Sequence, residues 1–292
     1  MKKQAKILIT GATGKSGGAA IDELVSMGYP VRALVHSRDE RSEKLADKGV
    51  EVIVGDLLNL NDISGAMQGI DTAYLCYPVL EPGVLQATAY FAQAAKENGL
   101  KGMVNMSQVS ARREAKSNAA QDHWVGEQVL NSTGIPVVHL RPTFFDDWFL
   151  YIREGIQQDN AILLPFGDGR WAPVDSADLG CVVAKALTSI EQYGGQILKL
   201  YGPQEYNVYE MAAVISGALG REVTYKPVPI EQFFEINAKR AASAHFIQHV
   251  THVAEDCVNG IFAGTNDLVE RITGTKPATL AEFFAKNKTL FA

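Results

Sequence analysis

No uninterrupted apolar run in the 292 residues reaches the roughly 18 needed to span a bilayer, which excludes an ordinary membrane-spanning helix. The apolar part of the opening "MKKQAKILITG" is too short for the core of a signal peptide, and no cleavage-like sequel follows it. Cysteine is scarce. Cys76, Cys181 and Cys257 lie far apart, are odd in number and form no CxxC pair, so a disulfide framework is excluded and a reduced, cytoplasmic setting is expected. No strong basic run offsets the net charge of −6, which argues against a nucleic-acid partner. There is no HExxH pattern, no internal repeat, no low-complexity segment and no flexible linker.

What is present is an alternation of strand and helix signals. "KILIT", "PVRALV", "EVIVGD", "DTAYLCY", "GMVNMS" and "IPVVHLRP" read as six strands. Helical stretches fall between them at Gly14 to Met27, Arg38 to Lys48 and Pro82 to Asn98, with another ending near "STG". Crossover connections of this kind demand a parallel sheet covered on both faces, and the near-continuous apolar strands agree. The expected fold is α/β: a Rossmann-type doubly wound parallel sheet with a small mixed C-terminal lobe. After Pro142 the pattern loosens. "FFDDWFLYIREGIQ" reads as an aromatic-rich helix, and "ILLPFGDGRWAPV" as two short strands around a Gly-Asp-Gly turn. Ser176 opens a helix, "GGQILKLYG" is a strand, and Asn207 with Glu210 forms a capping box. The expected division is residues 1–157, with 175–200 returning to them, against a cleft lobe of 158–174 and 201–292.

The stretch "ITGATGKSGG" fixes the chemistry. A triphosphate loop needs a glycine five residues before Gly14, and that position is Ile9, inside the strand. The glycine spacing suits the diphosphate of a dinucleotide instead. Gly11 allows the turn, Gly14 lets the phosphates approach, and Gly17 lets the helix pack on the sheet. Thr13, Lys15 and Ser16 complete the turn at a helix N-terminus that favours anions. The second strand ends at "VRALVHSRDE", where an NAD site places a carboxylate. Here His36, Ser37 and Arg38, with Arg32 nearby, suit a 2′-phosphate, so NADP(H) is preferred and NAD(H) possible. Asp56, next to Leu57, either meets the adenine amino group or caps the following turn. Tyr77 and Pro78 are placed to line the ribose–nicotinamide side, and Ser107 with Gln108 ends the fifth strand at the ligand edge.

The ordered set of "GATGKSG", "VRALV", "GD" after the third strand, "RPTFF" after the sixth, "APVDSADLG" and "LYGPQEYNVYEMAAVIS" resembles the NmrA-like group of atypical short-chain dehydrogenase/reductases across most of the chain. That group includes NAD(P)H-dependent quinone oxidoreductases, azoreductase-like and isoflavone-reductase-like enzymes, and redox-sensing regulators. The resemblance implies that Pro142, Thr143 and Phe144 pack against the nicotinamide. It also makes a departure visible, because none of the ten tyrosines has lysine four positions on, so the usual Tyr-x-x-x-Lys acid pair is missing. His123 stands where isoflavone-reductase-like enzymes carry a catalytic lysine, one turn from Glu127. It is the candidate proton donor, and Gln108 a candidate for a substrate oxygen. Phe145, Trp148, Phe166 and Trp171 are the candidate walls for a flat aromatic acceptor, beside Phe149 and Tyr151.

Loss of Tyr–Lys weakens ordinary ketone reduction and sugar-nucleotide epimerisation and favours a quinone, whose electron-poor ring accepts hydride with less help. The expectation is an NAD(P)H-dependent reductase of a quinone or azo-type acceptor. The alternative is a non-catalytic NADP(H)-binding redox sensor. No nucleic acid, membrane or metal is expected to take part, and the protein is expected as a monomer or homodimer. His245, His249, His252 and Asp256 share a helix face by spacing and are read as a polar face or a wall of the cleft rather than a metal site.

Overall fold

In the computed structural model, which describes residues 4–238 and 243–292, strand and helix alternate through the first half. The order is β1 (Ile7–Ile9), α1 (Lys15–Ser26), β2 (Val31–Val35), α2 (Glu40–Asp47), β3 (Glu51–Val54), α3 (Leu60–Met67), β4 (Thr72–Leu75), α4 (Val84–Glu97), β5 (Gly102–Met106), α5 (Asn118–Asn131) and β6 (Val137–Pro142). The second half adds α6 (Arg153–Gln158), β7 (Ala161–Leu164), β8 (Arg170–Trp171), α7 (Ser176–Thr188), α8 (Ile190–Tyr193), β9 (Ile197–Leu200), β10 (Tyr206–Asn207) and α9 (Val208–Leu219). It ends with β11 (Thr224–Pro227), α10 (Ile230–Ile236), α11 (Ala244–Val258), α12 (Leu268–Thr273) and α13 (Leu280–Lys286).

Seven strands form one sheet in the order β3-β2-β1-β4-β5-β6-β9, and every pairing in it is parallel. The chain therefore runs outward one way from β1 and then the other way from β4. The crevice between their carboxyl ends is the switch point where such sheets hold ligands. The inner strands β1, β2, β4 and β5 have no exposed face because helices cover both sides, whereas the edge strands β3 and β9 are partly exposed. Ile7, Ile9, Val31 and Val104 meet Ile21 and Leu24 of α1 and Val182 and Val183 of α7. Leu8, Leu34, Ala73 and Met103 meet Ile63 of α3, Phe91 of α4 and Leu130 of α5. Against α1, α7 packs closely enough that a Cβ on Gly180 would lie 2.4 Å from that of Ala19. A third core, with Phe149, Ile162, Phe166, Trp171, Met211, Ile215, Phe246, Val250 and Phe284, also takes in Val109, just past β5. Phe144, just past β6, packs against it. This core lies beside the carboxyl edge of the sheet.

Several local expectations are corrected. "FFDDWFLYIREGIQ" is not one helix. Phe145 bridges to Val174 in extended form, Asp146–Leu150 make a 3-10 turn, and the α-helix starts at Arg153. The strands in "ILLPFGDGRWAPV" exist but do not pair with each other: β7 lies parallel to β11 and β8 antiparallel to β10. Ser176 does open α7, and Asp175 before it is the cap, its carboxylate accepting the Ala177 N–H at 2.6 Å. The short helix α3, which the sequence reading passes over, lies between β3 and β4. The capping box of Asn207 and Glu210 is present at α9.

Candidate functional site

Gly11 leaves β1 with φ +60°, a conformation that side chains disfavour, and its missing Cβ would sit 3.2 Å from the Cβ of Cys76. The loop then folds on itself. The Gly14 N–H donates to Gly11 O at 2.9 Å, and a Cβ on Gly17 would lie only 2.3 Å from that same oxygen. Gly14 caps α1 in extended conformation without any side-chain bond. The first-turn N–H groups of this 12-residue helix are left to an anion. Gly14 and Lys15 are exposed and Thr13 is half-buried. Ser16 turns inward, its hydroxyl 3.3 Å from Tyr74 Oη, so its backbone rather than its side chain faces the loop mouth. Lys15 Nζ stands 3.7 Å from Asp147, and Ser176 donates to the other oxygen of that carboxylate.

At the end of β2, His36, Ser37 and Arg38 are exposed, and Arg38 makes only a weak contact of 3.4 Å with Val52 O. The acidic neighbours are committed elsewhere. Asp39 caps α2 in a capping box and takes two bonds from Arg41 at 2.9 and 2.6 Å. The Arg41 guanidinium, helped by the Ser42 N–H, holds its carboxyl below the usual carboxylate range. Glu40 pairs with Lys44. Arg32 is a correction. Its guanidinium is buried near the start of β2 and donates to Ala66 O, Gln68 O and Glu51 at 2.7, 2.8 and 2.9 Å. It ties β2 to α3 and β3 and does not reach the corner.

Asp56 accepts the Leu58 N–H at 2.8 Å, a turn cap that leaves its other carboxylate oxygen open, and Leu57 packs on the core. The Tyr77 hydroxyl folds back onto its own loop, donating to Pro82 O at 2.8 Å, so the tyrosine contributes its ring. Pro78 holds the Glu81 N–H through its carbonyl.

Under the carboxyl ends of β5 and β6 lies a closed ionic knot. Glu127 on α5 is buried and accepts Ser107 Oγ at 2.6 Å, Arg141 Nε at 2.8 Å and Arg141 Nη2 at 2.5 Å. Glu127 therefore does not pair with His123, and the Ser107 hydroxyl hydrogen is already donated. His123 is 6% exposed. Burial pushes its imidazole down to about 4, with nearby Glu127 opposing and Arg141 adding. Of the two roles open to it, a proton or a hydrogen bond, this lowering favours a neutral imidazole near neutrality, which can donate one N–H.

Among the described residues several buried polar atoms past the ends of β5 and β6 have no hydrogen-bond partner: Gln108 Nε2, Thr143 Oγ1, Trp148 Nε1 and both carboxyl oxygens of Asp146. Gln108 Oε1 is taken by Ser110 at 3.0 Å, so its amide is oriented with the NH2 group free. Burial, with Asp175, Asp147 and Asp178 near, pushes Asp146 well above the usual carboxylate range. Such orphans are rare in folded proteins and call for an explanation, a bound water or ligand among them.

The aromatic wall is layered. Phe144 stacks on Phe262 at 4.3 Å and on Phe166 at 5.3 Å, and meets Trp171 edge-on at 5.2 Å. Phe166 and Trp171 are 1% exposed, so they back the wall rather than face an acceptor. Phe145 points to the sheet core. Trp148, with Tyr151 at 5.2 Å, remains partly open. Phe262, which carries no local pattern in the sequence, is the added member.

The four polar residues of α11 do not converge on one point. His245 Nε2 donates to Val79 O at 3.0 Å. His249 Nδ1 meets Ser117 Oγ at 2.8 Å. Asp256 holds Arg112 through two bonds of 2.7 and 2.6 Å, and His252 pairs with Glu255. The helix is a polar seam against residues 112–118, the segment leading into α5. Among the described residues no three His, Cys, Asp or Glu side chains are grouped to hold a metal ion, and no helix is long and apolar enough to cross a membrane.

The seam has a pH signature. Burial pushes His249 down to about 3, with His123 and His245 adding. The unfolded chain binds a proton near 6.5 that the folded chain refuses, so this contribution is complete above that pH and is lost as pH falls below it. For His249 the loss between pH 7 and 5 is about 2 kcal/mol. Asp146 acts in the opposite direction, so the wild type is compared with His249→Gln. Urea unfolding at the two pH values is expected to show the wild-type advantage shrinking by about that amount at pH 5. An unchanged difference would contradict it.

The sequence profile of the NmrA-like family matches residues 3–288. An NAD(P)H azoreductase of Xenophilus azovorans is 28% identical over 295 aligned residues, covering 98% of this chain and 99% of that one. The structure of an Escherichia coli NADPH-dependent quinone oxidoreductase in complex with NADPH superposes with a TM-score of 0.85 at 21% identity, over 96% of this chain and 99% of the other. The structure of NmrA, a negative transcriptional regulator, in complex with NAD gives 0.80 at 16% identity, over 99% and 97%. At these identities the two structural likenesses speak for the fold.

Proposed function

The chain belongs to the NmrA-like family, and from that premise and the geometry above we propose that it is an NAD(P)H-dependent oxidoreductase, NADPH preferred, that reduces a flat aromatic acceptor of the quinone or azo type. In this reading residues 1–157 with 175–200 hold the dinucleotide, and 158–174 with 201–292 cover the acceptor. The observation that carries it is the bare-backbone cradle: a helix N-terminus without a side-chain cap, approached by a loop in which a Cβ on Gly17 would collide with Gly11. The residues fit the group. Diphosphate oxygens would take the N–H groups of Lys15, Ser16 and Gly17. A 2′-phosphate would take Arg38, Ser37 and His36, at a corner where Asp39 and Glu40 are already paired. Thr143 Oγ1 and Gln108 Nε2 would find acceptors or donors on the nicotinamide and the substrate.

When bound, the reduced nicotinamide supplies the hydride. The chain's own part is to orient, to exclude water and to stabilise the charge left on the acceptor. Phe144, backed by Phe262, Phe166 and Trp171, gives a rigid face for a flat ring. With His123 neutral, the reaction NADPH + quinone + H⁺ → NADP⁺ + hydroquinone takes its proton from solvent. The azoreductase relative supports the acceptor class.

Purified protein is mixed with NADPH and, separately, a set of 1,4-quinones and azo dyes, following loss of nicotinamide absorbance. Turnover with at least one acceptor, faster with NADPH than NADH, is expected. The rival reading, a binding protein that senses redox state, is favoured by the enclosed Ser107–Glu127–Arg141 knot and the missing Tyr–Lys pair. Tight binding without turnover of any acceptor would select it.

A further inference from the structure

The unpartnered polar atoms past the ends of β5 and β6 differ in what they can offer a ligand. The Thr143 hydroxyl donates and accepts, the Gln108 amide carries both functions, and the Asp146 carboxyl accepts, or donates once protonated. The Trp148 indole is a donor and nothing else. It carries one hydrogen on Nε1, in the plane of the ring, with no tautomer, no charge and no rotation apart from the ring. Its direction is set wherever the ring is set.

The ring is held between the aromatic wall and the glycine loop. Trp148 belongs to the 3-10 turn Asp146–Leu150, and its backbone N–H donates to Phe145 O at 3.0 Å. The turn is tied down just before it. The Asp146 N–H donates to Val174 O at 3.1 Å. The Asp147 carboxylate accepts the Ser176 hydroxyl and stands 3.7 Å from Lys15 Nζ, at the start of α1. The indole itself lies 6.2 Å from the Phe144 ring and 5.2 Å from that of Tyr151. Those two rings are tilted to it by 35° and 36°. An N–H that donates to a ring face comes in close to edge-on, so neither ring takes this hydrogen. The residue is half-buried, yet Nε1 is shut off from solvent and has no partner among the described residues. A buried donor left unpaired is destabilising, and an oxygen brought by a ligand removes that cost.

We propose that the Trp148 indole N–H is a catalytic hydrogen-bond donor, holding the acceptor oxygen that gains charge on reduction. The inference rests on the reductase reading above and narrows its substrate class to quinoid compounds with a ring oxygen. It gives Trp148 a polar task besides that of a wall for a flat ring. Two electrons and a hydrogen pass from NADPH to the quinone, leaving NADP⁺ and a hydroquinone monoanion. The indole N–H holds the anionic oxygen, and a solvent proton completes the hydroquinone. Because the indole neither gains nor loses a proton in the working range, its contribution does not vary with pH.

The test removes the N–H and keeps the ring. Trp148→Phe does so with a smaller ring, and benzothienylalanine in place of Trp148, which carries sulfur where the N–H stood, does so at nearly the same shape. Two hydride acceptors are compared. A 1,4-naphthoquinone develops charge on oxygen, whereas a triarylmethane dye cation takes hydride at carbon and becomes neutral. Losing one preorganised oxyanion donor typically costs 10²–10³ in rate, so both variants are expected to lower kcat/KM for the quinone by about 100-fold, equally at pH 6 and pH 8, with the dye changed less than about threefold. The benzothienylalanine protein is expected to melt no lower than the wild type, since no bond within the fold is lost. A readout without turnover is the ionisation of bound 4-nitrophenol. The wild type is expected to lower its apparent pKa, and the benzothienylalanine protein to bind it without that shift. Equal loss on both acceptors, loss on neither, a lower melting temperature of the benzothienylalanine protein, or no nitrophenol shift in the wild type overturns the assignment. If the wild type reduces neither acceptor, the reductase reading fails, and the nitrophenol measurement still decides on the indole donor.

Discussion

Gly17→Ala is expected to abolish dinucleotide binding, lowering affinity by at least about 100-fold, and to destabilise the fold by about 1–3 kcal/mol. The added Cβ would stand 2.3 Å from Gly11 O and 2.9 Å from Gly11 C. Both are backbone atoms of the turn that leaves β1, so no side chain can swing away. Relief requires the first turn of α1 to lift from the sheet or the Gly11 turn to open, and either movement misplaces the N–H groups that would face the diphosphate. The neighbouring glycine is the control. A Cβ on Gly18 would meet only Ala12 O, at 3.7 Å. Gly18→Ala is therefore expected to keep binding intact and to gain up to about 1 kcal/mol from helix propensity. Thermal unfolding with and without NADPH separates the two variants. Equal behaviour would mean that the tight approach of α1 to the loop does not organise the site.

Glu127→Ala is the second large effect. Its carboxylate is 1% exposed and accepts three bonds. Removing it leaves the Arg141 guanidinium, whose side chain is 13% exposed, buried without a counter-charge. Breaking one partner of a buried ion pair costs about 3–5 kcal/mol, whereas replacing both by apolar groups of similar volume is often neutral. The paired substitution Glu127→Leu with Arg141→Met is thus expected to recover most of that loss in urea unfolding. It should not recover acceptor turnover, because the knot also braces β5, β6 and α5 beneath His123. A double variant as unstable as the single would show that the charge pair is not the cause.

The alternation of β1 to β6 with its helices was legible because strands buried on both faces must be apolar throughout, and the glycine loop because its conformation restricts the residues allowed. Other features depend on distant partners. β7 and β8 carry strand signals, but the strands they pair with lie far along the chain, so a local hairpin was the natural and wrong expectation. α3, with eight residues, has too few turns for a clear apolar face. The aromatics after Pro142 have helical spacing, yet the bridge from Phe145 to Val174 holds the chain extended there.

At the site, Arg32 shares a strand with the ribose corner, but four residues of strand span about 13 Å, and Glu51 with the end of α3 claims it first. The docking of α11 on α5, which brings Ser117 and His249 together, left no signal beyond a row of histidines at helical spacing. His123 is buried, and that burial, which lowers its imidazole, is not legible from its place on the helix.

The central claim is that a dinucleotide is clasped by bare backbone at the start of α1. The direct measurement is calorimetric titration of NADPH and NADH into the wild-type protein and into Gly17→Ala. The account predicts saturable one-site binding to the wild type, tighter for NADPH, and none to the variant. Absence of binding to the folded wild type at millimolar concentration, or undiminished binding to Gly17→Ala, would contradict it.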